Sequence, residues 1–407
     1  MRIAYVVPYV PNLIRTRSYN LITQLAKLGN QVTVFTLGSG EHDQRDAENL
    51  RQKVTHVNYH QHPIWYSLWN SIRALPSRRP LQSVFSWNPQ LAISLGKLIN
   101  QGLYDVVHVE HLRGSRYGQY IKSRSFSVPV VWDSVDCISY LFEQASKYGT
   151  GGFGKFVTRF ELGRTRQMER RLICEFDHVL VTSEADKEFL LELALPGSRP
   201  APVSVLSNGV DLEYFHPNPD IQRDEDTLVF SGKMSYHANI SMVKYLVSEI
   251  LPMVWKKRPS VQLVIVGKDP PVDIVALSGD SRITVTGTVD DIRPFLWRAT
   301  IAVVPLVYGA GIQNKLLEAM ACGIPVIATS KTLTSLQVLP GRELIVADDA
   351  HEFSGRILDL LDDKTLQSTI GSSGAKYVRY NHNWMVIAQK MVTYYADAIR
   401  ASTITAN

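Results

Sequence analysis

The chain predicts an α/β fold with two Rossmann-like parallel-sheet domains, and three observations carry that prediction. Short apolar runs alternate with helix-length amphipathic segments along its whole length. The runs are rich in Val and Ile without polar alternation, as expected of strands buried on both faces of a parallel sheet. At 407 residues there is room for two domains of ordinary size.

Ile3–Val7 is the first strand pattern. A helix follows from Ser18 to Leu28, Gly29 stops it, and Gln31–Thr36 is the next strand. Asp105–Val109, Val128–Trp132 and Phe176–Val181 repeat the theme, giving the βαβ order of a doubly wound sheet. The segment ALPGSRPAPV, ending at Val203, is rich in Pro, Gly and small residues and marks a domain boundary. A second α/β series then runs through Thr227–Ser231, Val261–Gly267, Ile283–Thr286, Ile301–Pro305 and Pro325–Thr329. The expected domains are residues 1–200 and 201–382, with ligands at the carboxyl ends of the strands, facing an inter-domain cleft.

Composition narrows the class. Hydrophobic residues make up 45% and charged residues 20%, as in a folded globular protein. No apolar run approaches the ~20 residues of a membrane helix, and the N-terminus enters a strand pattern without a signal-peptide cleavage site. Cys137, Cys174 and Cys322 form no CxxC and no disulfide framework. A cytoplasmic protein with reduced thiols is expected. Residues 1–200 hold 24 basic against 17 acidic residues, and the remainder 19 against 21. The first domain therefore expects an anionic neighbour: nucleic acid, a membrane surface or a phosphorylated lipid.

The most informative stretch is VVPLVYGAGIQNKLLEAMACGIPVIAT, residues 303–329. It reads as strand, small-residue loop, helix and second strand. Gly309, Ala310 and Gly311 leave backbone amides uncovered just before a helix, and amides at a helix N-terminus favour an anion. Lys315 adds a full positive charge, with Glu318 one turn further on the same face. A diphosphate beside a ribose or sugar suits such a site; an ordinary strand-to-helix turn is the plain alternative. No GxGxxG follows a strand near the first helix, and there is no P-loop. No nucleic-acid module is recognisable, so no nucleic-acid partner is expected.

Four segments carry a resemblance to the family 4 glycosyltransferases, whose two-Rossmann-domain architecture is called GT-B. VLSNGVDLEYFHP (205–217) resembles the linker segment of that family, and FSGKMSYHANISMVKYLV (230–247) the loop and helix that open its donor domain. LVIVGKDPP (263–271) and VTGTVDDIRPFLWRA (285–299) resemble its Ile-Val-Gly strand and its base-contacting loop. The 303–329 stretch resembles the Leu-Glu-Ala-Met-Ala helix and Gly-x-Pro strand. Gly311–Ala319, GIQNKLLEA, matches the variant found in exosortase- and exopolysaccharide-associated sugar transferases. PYVPNLIRTRSYNLITQLA (8–26) and VVWDSVDCIS (130–139) are similar to its N-terminal features.

The resemblance implies a retaining transfer of a sugar from a nucleotide-diphosphate donor, without metal and without cofactor, in polysaccharide or glycoconjugate synthesis. Protein cations and helix amides then stabilise the departing diphosphate. Lys233 takes the place of the family's phosphate-binding Arg. The second basic position is Asn239, and Lys315 is the expected replacement. Glu318 matches the second Glu of the family's Glu-x7-Glu motif and is expected on the ribose. The first Glu is replaced by Ala310, leaving the amides of Ala310, Gly311 and Ile312 for a hydroxyl or phosphate oxygen. Gly232 allows close approach of the diphosphate. Gly287 and Val289 match the loop whose backbone reads uracil or guanine, with a UDP-sugar slightly favoured over a GDP-sugar. On the acceptor side, Val135 stands where the family often has His; Asp136 is expected to orient the acceptor or accept its proton. His111 follows a strand end and is a second candidate.

Arg15 and Arg17 lie after the first strand, where their charge suits a phosphate of donor or acceptor. Residues 63–87 mix Trp65, Tyr66, Trp69, Phe85 and Trp87 with Arg73, Arg78 and Arg79. That mixture suits a membrane interface or lipid-linked acceptor, and equally suits core helices with solvated arginines. Glycan, lipid-linked and small-molecule acceptors all remain open, as does peripheral contact with the inner face of a membrane. By resemblance, a C-terminal helix (383–407) crosses back to the first domain, with Tyr377, Tyr380, Trp384, Tyr394 and Tyr395 in packing roles. The alternative function is a GT-B protein that binds nucleotide sugar or glycan without efficient turnover, as Ala310 and Val135 suggest.

Overall fold

The five apolar runs of the first series become strands, and two further strands, β3 and β7, join them in one parallel sheet: β1 (Arg2–Val7), β2 (Gln31–Gly38), β3 (His56–Gln61), β4 (Val106–Glu110), β5 (Val130–Val135), β6 (His178–Val181) and β7 (Val203–Val205). Their order is β3-β2-β1-β4-β5-β6-β7, every pairing parallel. The computed structural model describes residues 1–13, 15–124, 126–148, 152–308 and 313–406. It divides into two units, Met1–Ser207 with Trp384–Asn407, and Asn208–Asn383.

In the first unit the strand order reverses between β1 and β4, so the carboxyl ends of these two strands open a crevice. Helix Thr16–Lys27 ends where Gly29 takes a φ of 82°, which a residue with a Cβ rarely adopts. The Leu28, Gly29 and Asn30 amides bond back to the Gln24, Ala26 and Leu25 carbonyls at 2.9, 2.9 and 3.2 Å. Two strands have no apolar signature. β3 reads HVNYHQ and is an edge strand with one fully buried residue. β7 lies beyond the Pro-rich segment, so the chain stays in the first sheet until Ser207 rather than leaving it at residue 200.

The second unit has β8 (Thr227–Ser231), β9 (Gln262–Val266), β10 (Ile283–Val285), β11 (Ile301–Val304), β12 (Val326–Ala328) and β13 (Ile345–Val346). The order is β10-β9-β8-β11-β12-β13, with the reversal between β8 and β11. β13 is two residues long, too short for a sequence pattern.

Helix Trp384–Ala406 belongs to the first unit. Ile387, Ala388, Met391 and Tyr395 join Leu21, Ile22 and Leu25 in one core cluster, each large aliphatic side chain stabilising by about 1.5–3 kcal/mol through burial. Tyr380 departs from its expected packing role, being 71% exposed. No described helix is long and apolar enough to cross a membrane.

Candidate active site

The second unit brings five of the expected residues together at the β8–β11 reversal. β8 runs into Gly232, which has φ 151° and donates its amide to the Val266 carbonyl at 3.0 Å. A Cβ on Gly232 would stand 2.7 Å from Asn239 Nδ2. Gly267, after β9, has φ 153°, and its Cβ would fall 1.8 Å from the Gly232 carbonyl oxygen. The two loops meet backbone to backbone, which only glycine at both places permits.

Asn239 is buried in the first turn of helix His237–Tyr245. Its Nδ2 donates to the Lys233 carbonyl at 2.8 Å, and its Oδ1 accepts from Lys315 Nζ. Lys315 opens helix Asn314–Ala321, with its ammonium 5.1 Å from the Phe230 ring centroid. Burial pushes Lys315 down to about 8 against the pull of Glu318. Burial likewise pushes Glu318 up to about 7, with Lys315 opposing. Both groups therefore titrate near neutrality, where a ligand easily changes their charge. Lys233 is exposed, with Nζ 3.8 Å from Asp269 Oδ2.

Gly287 has φ 68° and open space where a Cβ would stand, so its backbone is accessible. Val289 is half-buried, and its side chain packs on the core. Gly309, Ala310, Gly311 and Ile312 lie outside the described residues. Two further side chains stand beside this cluster, unsuspected from the sequence. The His237 ring stacks on Tyr308 at 5.5 Å between centroids, and its Nδ1 lies 2.9 Å from the Tyr308 hydroxyl. The only signal was their places, at a helix start and just before the glycine loop.

At the β1–β4 reversal of the first unit the structure gathers buried polar groups that the sequence did not single out. Glu110 is buried at the end of β4. It accepts from Tyr5 at 2.9 Å, from Ser18 at 2.6 Å and from Tyr9. Burial raises its pKa, the Asp133 charge adds to that, and the hydroxyl donors oppose it.

Arg17, expected to offer its charge to a phosphate, is instead buried in an ion pair. Its Nη2 and Nε lie 2.8 and 3.2 Å from Asp133 Oδ2, and Nη1 donates to the Ser207 carbonyl at 3.3 Å. Asp133 needs this partner because it is wholly buried. Arg15 is exposed; it donates to the Val10 carbonyl at 3.0 Å and lies 4.8 Å over the Tyr9 ring. Asp136, just past β5, is half-buried, and burial followed by Asp186 pushes it up to about 6. Thr182 donates to its Oδ1 at 3.3 Å. Val135 holds φ 68° and His111 φ 60°, strained for non-glycine residues. Burial and then Arg113 push His111 down to about 4, and its Nδ1 has no partner among the described residues. No cluster of three His, Cys, Asp or Glu side chains able to hold a metal occurs among the described residues.

Residues 14–214 match the family described as Glycosyltransferase Family 4, and residues 225–363 the family described as Glycosyl transferases group 1. The chain is 28% identical over 155 residues to a GDP-mannose-dependent monoacylated α-(1-6)-phosphatidylinositol monomannoside mannosyltransferase of Corynebacterium glutamicum. That alignment takes in 35% of this chain and 40% of the relative, less than half of the relative's length. The UDP-Gal:α-D-GlcNAc-diphosphoundecaprenol α-1,3-galactosyltransferase of Escherichia coli is 25% identical over 297 residues, 67% of this chain and 70% of the relative. Sucrose-phosphate synthase of Thermosynechococcus elongatus superposes with a TM-score of 0.69 at 18% identity, covering 98% of this chain and all of that one. The last similarity establishes the fold.

Proposed function

The chain belongs to the family 4 glycosyltransferases with GT-B architecture, and from that premise we propose that it moves a sugar from a nucleotide-diphosphate donor to a hydroxyl acceptor with retention at the anomeric carbon. The observation that carries this reading is the contact of Lys315 with Asn239 beside Gly232. It sets one ammonium at the strand-order reversal, where ligands of doubly wound sheets bind. Lys315 and Lys233 take the charge of the departing diphosphate, and the Glu318 carboxylate accepts from the ribose hydroxyls. The Gly232 backbone lets the diphosphate approach, and the Gly287–Val289 main chain meets the base. The loop at Ala310, Gly311 and Ile312 offers amides to the sugar or phosphate. Asp136 acts on the acceptor hydroxyl, with a pKa suited to taking a proton near neutral pH.

Protein cations supply the charge in this reading, and no metal or cofactor has a role. A UDP-sugar is the first donor to test and a GDP-sugar the second. The acceptor is a glycan, a lipid-linked sugar or a small molecule, and the GIQNKLLEA motif favours polysaccharide or glycoconjugate synthesis. Val135 favours the second reading, a protein that binds nucleotide sugar without efficient turnover, because no imidazole stands at that acceptor position. Thermal-shift and product-release measurements on UDP-, GDP- and ADP-sugars separate the two. Stabilisation by one donor with nucleoside diphosphate release supports transfer. Stabilisation without release, with acceptors present, supports binding alone. No stabilisation by any nucleotide sugar overturns both.

A further inference from the structure

Helix Ile64–Ala74 is turned inside out. Trp65, Leu68, Trp69, Ile72 and Leu75 recur at helical spacing, and they are 62%, 54%, 53%, 58% and 48% exposed. The inward face is small and polar. Ser67 and Ala74 are buried, Ser67 Oγ lies 2.9 Å from His62 Nε2, and Asn70 donates to the Trp87 carbonyl at 2.9 Å. A soluble helix of this composition would bury the opposite face, so an apolar stripe this long and this exposed marks a contact surface.

The charge around the stripe says what the contact is. From residue 49 to residue 104 the sequence contains no Asp or Glu, while Arg51, Lys53, Arg73, Arg78, Arg79 and Lys97 are all basic. Arg73, Arg78, Arg79 and Arg116 have no carboxylate within ion-pair distance among the described residues. Beside the helix lies a cavity of about 550 Å³ lined by Arg79, Arg116, Trp87, Tyr120, Arg171 and Glu175, among others. The Arg116 guanidinium sits 4.2 Å over the Trp87 ring. Glu175 is already engaged by Arg171 and Gln119, so the cavity keeps a net positive lining. The loop presenting Arg78 and Arg79 is anchored. Arg164 donates to the Leu75 and Arg79 carbonyls at 2.7 and 3.4 Å, and the Leu81 amide donates to Glu161 at 2.7 Å.

We propose that this face of the first unit docks on an anionic lipid bilayer, its apolar stripe in the headgroup boundary and a lipid phosphate seated between Arg79 and Arg116. Tryptophans flanked by arginines suit that boundary, where rings sit between water and acyl chains. Unpaired arginines suit phosphate oxygens, which they bind in a bidentate fashion. A second copy of the chain fits poorly, because a symmetric contact would set the unpaired arginines of one copy against those of the other. Nucleic acid fits poorly because it offers nothing to five exposed aliphatic and indole side chains.

Flotation of the full chain with vesicles tests this without sugar transfer, so its failure leaves the transferase reading standing. Binding is expected to phosphatidylglycerol/phosphatidylcholine vesicles and not to phosphatidylcholine alone, with a blue shift of tryptophan emission. Removing each arginine is expected to weaken partitioning about fivefold, so Arg73→Glu/Arg79→Glu should weaken it well beyond twentyfold. Trp65→Ser/Trp69→Ser, at exposed positions that folding does not use, should abolish the shift. Arg116→Ala should weaken binding while leaving the emission shift of the residual bound protein. Absence of binding to anionic vesicles, or binding indifferent to both double variants, overturns the proposal. So does a stable dimer by light scattering that Trp65→Ser/Trp69→Ser dissociates, which would assign the stripe to a second copy.

Discussion

Replacing Lys315 by Met removes the ammonium that Asn239 holds at the β8–β11 reversal, and its size of effect follows from its setting. The Lys315 side chain is fixed by Asn239 and the Phe230 face, so little reorganisation is needed to meet a charged oxygen. An ammonium about 4 Å from a phosphate oxygen at an effective dielectric of 20 interacts by about 4 kcal/mol. Loss of a single preorganised electrostatic group at a reacting centre usually costs about 10²–10³-fold in rate. Lys315→Met is therefore expected to lower kcat/KM for the donor by about 10²–10³-fold, read as nucleoside diphosphate release. The pH profile supplies the control. Lys315 binds an anion only when protonated, and folding has brought its pKa down to about 8, so kcat/KM should fall as pH rises beyond that value. Glu318 accepts from ribose hydroxyls when ionised, and burial has brought it up to about 7, so kcat/KM should also fall below that pH. Lys315→Arg should retain most activity and lose the alkaline limb, since guanidinium stays charged. A Lys315→Met enzyme within about fivefold of the parent, or an alkaline limb unchanged in Lys315→Arg, would refute the assignment; the threshold lies far below the expected 10²-fold.

Asp136→Asn should lower kcat by about 10²–10⁴-fold and remove any inflection near the value of about 6 to which burial and Asp186 raise this group; an unchanged rate refutes its role as base. Gly232→Ala should abolish donor-induced stabilisation, because the new Cβ would stand 2.7 Å from Asn239 Nδ2 in a backbone at φ 151°; donor binding at parental strength shows the loop is free to rearrange. Arg17→Met should destabilise by about 3–5 kcal/mol, since it leaves the buried Asp133 without its partner. Chemical denaturation measures that loss, and a value under about 1 kcal/mol would show that Asp133 finds another donor.

Apart from the edge strand β10, the strands that the sequence revealed are buried along most of their length. β3 escaped because an edge strand such as HVNYHQ keeps polar residues, and β13 because two residues carry no period. The donor-side residues were legible because most are local. Gly232, Lys233 and Asn239 lie within eight positions, and Lys315 and Glu318 within one helical turn. Only the Lys315–Asn239 contact spans far, 76 residues, and there the resemblance had already flagged a missing cation. The Glu110 cluster was not legible, because its hydroxyl donors come from positions 92 to 105 residues away. Arg17 was misread for the same reason: the partner that consumes its charge is 116 residues distant. Residues 63–87 were legible only as aromatics mixed with arginines, and composition says nothing about which side of a helix meets the core.

Departures from local rules recur at both strand-order reversals: positive φ at the strand ends Gly232, Gly267, Val135 and His111, and half-buried charges at Lys315 and Glu318 on the helix that follows β11. Such departures persist only where the surrounding fold over-determines them, and a ligand that supplies the missing partners returns the stability they cost. For Glu318 the sign is definite. Its folded pKa of about 7 lies above its ordinary 4.5, so the free protein loses stability as pH rises between those values. A donor whose ribose hydroxyls meet the carboxylate is expected to recover that loss. A nucleotide-diphosphate sugar carries the same charge at about pH 6 and about pH 7.5, so its own ionisation does not intrude. The thermal shift given by the donor should be larger at about pH 7.5 than at about pH 6, and Glu318→Gln should make the two equal. Equal shifts in the parent protein, or a larger one at the lower pH, would place the ribose elsewhere and leave Glu318 as a buried group with no ligand to answer it.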